Sequence, residues 1–96
     1  MLKVVAGFSV KEGCLEKFKE LAQIIEEKTN TLDKGCISYV MCQDINDPLN
    51  CALIEEWESQ ELLDLHMQAE HFIELVPKIG ECCSRPVEIT LYNKLF

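Results

Sequence analysis

Basic residues are scarce in this chain. Nine Lys+Arg stand against seventeen Asp+Glu, a net charge of −8, and Arg85 is the only arginine. Nucleic-acid phosphates and anionic membranes both require a cationic surface, so neither is expected as a partner. Long apolar runs are missing too: no stretch approaches the ~20 apolar residues of a membrane-spanning helix. There is no GxGxxG, P-loop or GxSxG pattern, so nucleotide binding and serine-hydrolase chemistry have no support. No small-residue cleavage site follows the apolar stretch Met1 to Val10. That stretch reads as a strand and not an export signal, and a cytoplasmic location is the expectation.

What is present suits one folded unit. Ninety-six residues, 48% hydrophobic and 27% charged, describe a single domain spanning residues 1–96. Six cysteines (Cys14, Cys36, Cys42, Cys51, Cys82 and Cys83) are many for this length. A full apolar pattern exists without them, so they read as reduced, half-buried thiols.

Leu2, Val4, Ala6, Phe8 and Val10 alternate with Lys3, Val5, Gly7, Ser9 and Lys11, the period of a strand. From Leu15 the period changes to that of an amphipathic helix, carried by Phe18, Ala22 and Ile25 and ending near Thr29. Cys36 to Gln43 and Cys51 to Glu58 read as two strands of a hairpin around the turn-rich segment Asp44 to Asn50. In that strand Ile37, Tyr39 and Met41 should share one face. Ser59 is a good N-cap for a short helix through Met67. Phe72, Leu75, Val76 and Ile79 mark a second helical stretch, which Pro77 should interrupt or kink. Val87 to Phe96 alternates again.

The order β-α-β-β-α-β implies an α+β, ferredoxin-like antiparallel sheet with helices on one face. Three strands nevertheless carry apolar residues on both faces: Val4 with Val5, Tyr39 with Val40, Leu53 with Ile54. An open sheet should be polar outside. A homodimer packed sheet to sheet, closing a dimeric α+β barrel, accounts for this.

The residues richest in chemistry are Trp57, the only tryptophan, and the two histidines His66 and His71. Histidine can serve as acid, base or hydrogen-bond donor near neutral pH. No metal is expected, because two histidines five apart on one helix point to different faces. Cys36 and Cys42 lie roughly 20 Å apart along a strand and cannot share an ion. A hairpin symmetric about positions 46 and 47 would set Cys42 opposite Cys51, where the pair could bridge or bind a thiophilic ion.

The run Glu55-Glu56-Trp57-Glu58-Ser59, then His66, then His71-Phe72, resembles the antibiotic biosynthesis monooxygenase superfamily, closest to its quinol monooxygenase branch. Gly35-Cys36-x-x-Tyr39 and the late strand after Pro86 match as well. The resemblance implies a ferredoxin-like homodimer, joined through facing sheets, that oxidises a small quinol-like or polyphenolic substrate with dioxygen and no cofactor. It implies catalytic roles for His66, His71 and Trp57, and a substrate site between sheet and helices lined by Phe8, Tyr39, Met67 and Phe72. Glu70, four residues after His66, would hold its tautomer. The superfamily's heme-degrading branch uses an Asn on the first strand, where this chain has Val5-Ala6-Gly7. Heme degradation is therefore not expected. Two alternatives are an isomerase of the kind that acts on phosphorylated autoinducer-2 breakdown products and a non-catalytic, small-molecule-binding stress dimer.

Overall fold

A computed structural model describes residues 1–96. The elements are β1 (Leu2–Ser9), α1 (Leu15–Leu32), β2 (Cys36–Asp44), β3 (Asp47–Trp57), α2 (Gln60–Met67), α3 (Glu70–Glu81) and β4 (Glu88–Asn93). All strand pairs are antiparallel, in the order β2-β3-β1-β4. The ferredoxin-like α+β architecture is as the sequence implies, with one helix more.

The helices cover one sheet face. Leu2, Val4, Ala6 and Phe8 of β1 are buried there, together with Leu53 and Trp57 of β3. Phe18, Leu21, Ala22 and Ile25 of α1 join them, with Leu63 of α2 and Leu75 and Ile79 of α3. Burial of this continuous apolar surface is the main stabilising term. The helix α1 also guards the free edge of β2. The Glu26 carboxylate accepts the Met41 N–H at 2.9 Å, and the Asn30 amide donates to the Tyr39 carbonyl at 2.9 Å. These bonds occupy backbone groups that would otherwise invite another strand.

Four local expectations are corrected. The order β-α-β-β-α-β counts one helix after β3, but the two helical stretches are separate helices, so His66 and His71 do not share one; Ser59 is the expected cap of the first and accepts from the Leu62 N–H at 3.3 Å. Pro77 lies inside α3 and does not end it. Proline removes one backbone bond, and the buried face of His71, Leu75 and Ile79 holds the helix through that loss. In the hairpin, Asp44 pairs with Asp47 around Ile45–Asn46, and a register shift follows. Cys42 therefore faces Ala52, Cys51 faces Gln43, and all six cysteines are free. Finally, a register shift between Cys36 and Ser38 makes Ile37 an extra residue, 43% exposed and off the Tyr39 face.

Candidate functional site

Period 2 along β3 sends Cys51, Leu53, Glu55 and Trp57 to the helix-covered face. Glu55 is thus carried into the core, where it is only 6% exposed. The Trp57 indole N–H donates to Glu55 Oε1 at 2.8 Å. That is the one hydrogen bond to this carboxylate. Burial pushes the Glu55 carboxyl up to about 7, against the opposing pull of the Trp57 bond.

Glu55 is the only charged group lining a cavity of about 90 Å³ between sheet and helices. Ala6, Phe8, Leu53, Tyr39 and Met41 form its floor. Ile25, Phe72, Val76 and Ile79 form its roof, and Val87 and Ile89 its side toward β4. Tyr39 stands directly opposite Glu55 in the strand ladder. Burial, and then the Glu55 charge, push its phenol far above the usual range, so it stays a neutral O–H donor. A larger groove of about 430 Å³ lies between α1 and β2, but Glu16, Lys19, Glu20 and Gln23 line it and it is open to water. The apolar cavity, with its one polar group, has the lining chemistry of a small-molecule site.

Both histidines lie beside this cavity and not in its wall. His66 ends α2 and His71 begins α3, and Asp33, which caps the C-terminus of α1, meets both. Asp33 Oδ2 lies 2.5 Å from His66 Nδ1 and 3.0 Å from His71 Nε2. The two imidazoles are 2% and 6% exposed. His66 packs against Trp57, Phe72 and Tyr39, with ring centroids at 4.7, 5.0 and 5.3 Å. Burial lowers its pKa, with Asp33 opposing. A neutral His66 that donates Nδ1–H to Asp33 keeps its lone pair on Nε2. The partner is Asp33 and not Glu70, which is exposed at the start of α3 because the helix breaks between them.

Of the residues singled out from the sequence, Phe8, Tyr39 and Phe72 line the cavity. Trp57 orients its carboxylate, His66 packs against Tyr39 and Phe72, and His71 lies beside His66. Met67 is 43% exposed and lies outside the cavity lining. Two residues escaped sequence reasoning. Glu55 carried a signal: a carboxylate at a core-facing position between Leu53 and Trp57. Asp33 carried none, since its partners lie 33 and 38 residues away.

Gly35 lets this arrangement close. Its φ of +84° is one that side-chain-bearing residues rarely adopt, and an added Cβ would run into the Leu62 side chain of α2. Its carbonyl also accepts the Glu58 N–H at 2.9 Å. Gly35→Ala is expected to cost about 2 kcal/mol or more by urea denaturation, because strain and overpacking add. A change under ~0.5 kcal/mol would show that α2 yields freely.

The fold and its apolar, carboxylate-bearing cavity define a small ferredoxin-like α+β protein. The chain belongs to the antibiotic biosynthesis monooxygenase family, whose sequence profile matches residues 1–78. A conserved protein from Methanosarcina mazei Go1 is 33% identical, with a TM-score of 0.93 over 97% of this chain and 91% of that one. A crystallised antibiotic biosynthesis monooxygenase is 32% identical, with a TM-score of 0.93 over 99% of each chain. Rv0793 from Mycobacterium tuberculosis shares the fold, at 24% identity and a TM-score of 0.92 over 99% of this chain and 95% of that one. No curated protein matches. Family membership supports monooxygenase-type chemistry. No helix is long and apolar enough to cross a membrane.

Proposed function

We propose that this protein oxidises a small, neutral phenol or quinol with dioxygen, without a bound cofactor, and that Glu55 is the base. The observation that carries this reading is a single carboxylate, raised to about 7, in an otherwise apolar cavity. A base with that pKa is half ionised near neutral pH, where general-base catalysis is most effective. It takes the phenolic proton, and the electron-rich phenolate then reduces dioxygen. For a hydroquinone, C–O bond formation and loss of water give a hydroxyquinone. Four electrons leave the ring, one oxygen atom is inserted, and the other departs as water. The Tyr39 hydroxyl is a donor for the developing oxyanion. His66, with its tautomer held by Asp33, keeps the Trp57 and Tyr39 rings in place.

The lining also speaks against a phosphorylated substrate. It has no cationic side chain, and Glu55 would repel the phosphate. The test is oxygen uptake by purified protein with a panel of neutral hydroquinones. Saturable uptake above the uncatalysed background is expected, with 2,5-dihydroxybenzoate at least tenfold poorer. Background rates across the whole panel would overturn the reading.

The same proposal includes a homodimer. On the outer sheet face Val40 pairs with Ile54 and Ile54 with Val5, an apolar row across three strands, each residue between 37% and 46% exposed. A second copy covering this row would remove it from water. Ile54→Lys is expected to give a folded monomer by light scattering at micromolar concentration, against a dimer for the parent chain. A parent that is itself monomeric would refute the dimer.

A further inference from the structure

The oxidation reading uses Asp33, His66 and His71 only as supports, yet the three form the most concentrated set of ligating atoms in the molecule. We propose that they make a binding site for one first-row transition-metal dication of the zinc or cobalt(II) class, which staples the three helices together beside the cavity.

Three observations carry the assignment. The first is convergence. The carboxylate and the two imidazoles come from the C-terminus of α1, the end of α2 and the start of α3. Their ligating atoms all lie within 4.8 Å of one another. Tetrahedral ligation at ~2.0–2.1 Å needs ligand atoms roughly 3.3 Å apart. Asp33 Oδ2 now stands 2.5 and 3.0 Å from the two ring nitrogens, so shifts of under ~1 Å admit an ion.

The second is donor chemistry. Two imidazole nitrogens and one carboxylate oxygen suit zinc, cobalt, nickel or iron(II). Calcium and magnesium call for six or more oxygens, and no thiol belongs to the cluster. Each imidazole turns a lone pair to the ion by carrying its proton on the other ring nitrogen.

The third is access. A surface depression of about 190 Å³, lined by Leu32, Asp33, Lys34, Leu62, Leu65 and His66, reaches two of the three ligands from outside. It gives an ion a way in and leaves room for water as a fourth ligand. Lys34 at its rim opposes the ion, while the chain's net charge of −8 favours a dication overall.

The test is a cobalt(II) titration of reduced, chelator-treated protein without substrate, so its outcome is independent of the oxidation reading. One cobalt per chain is expected, with visible d–d absorption and no near-ultraviolet thiolate-to-metal band. The ring-proton resonances of both histidines should be hyperfine-shifted, and Tm should rise by roughly 5 °C or more at saturating metal. Asp33→Asn and His71→Gln should each weaken binding at least tenfold. The histidine resonances of the parent protein decide the matter even if a variant fails to fold. No saturable cobalt signal, a thiolate band with unshifted histidines, or folded variants that bind as well as the parent would each overturn the site.

Discussion

Glu55→Gln is expected to lower oxygen uptake with hydroquinones by at least 10²-fold. The substitution keeps shape and volume and leaves an oxygen that can still accept the Trp57 N–H. It removes only the ability to take a proton, for which general-base catalysis contributes roughly 10²–10⁴-fold. The parent's rate should rise with pH through a limb near 7, because the carboxyl raised to about 7 is protonated and idle below it. The variant should lack that limb.

Stability should move the opposite way. A carboxyl whose folded-state pKa is raised binds more protons folded than unfolded between its ordinary value of 4.5 and about 7. The parent therefore loses stability as pH rises through that window, by an amount on the order of 3 kcal/mol. Glu55→Gln should be free of this loss. Equal turnover and an equal pH profile in both proteins would remove Glu55 as the base. Urea titrations at pH 5 and pH 8 check the linked stability.

Trp57→Ala should be the most destabilising single substitution in the core. Trp57 is 0% exposed, and its ring meets His66 at 4.7 Å and Tyr39 at 6.5 Å. Truncating a buried tryptophan costs about 3–5 kcal/mol. Here it also strips Glu55 of its only donor, which adds the cost of a buried polar group without a partner. In a domain of this size, such a loss lowers Tm by ~12 °C or more. Trp57→Phe separates the two effects. It keeps most of the packing and removes the bond that holds the Glu55 pKa down, so the activity limb should move above 7 while much of the stability remains. A limb that stays in place would mean that the indole N–H does not tune the carboxyl.

The sequence alone determined the strands, the first helix and the α+β class. Hydrophobic periods of two and of about three and a half are local properties, and in β1 and α1 they match the burial observed. It also marked Trp57, Tyr39, Phe8 and Phe72, because large aromatics at in-facing positions must go to the core. Period alone could not choose a face for Leu53, Glu55 and Trp57. Both faces of β3 are apolar, and only the packing of α1 and α3 onto one of them buried Glu55. The two register shifts of β2 were equally out of reach, since they are settled by pairing partners distant in the chain. Asp33 is the plainest case. As a loop aspartate it carries no pattern of its own. The tertiary structure alone brings it to His66 and His71, because a carboxylate at the end of α1 is the one acceptor within reach of two imidazoles buried by other helices.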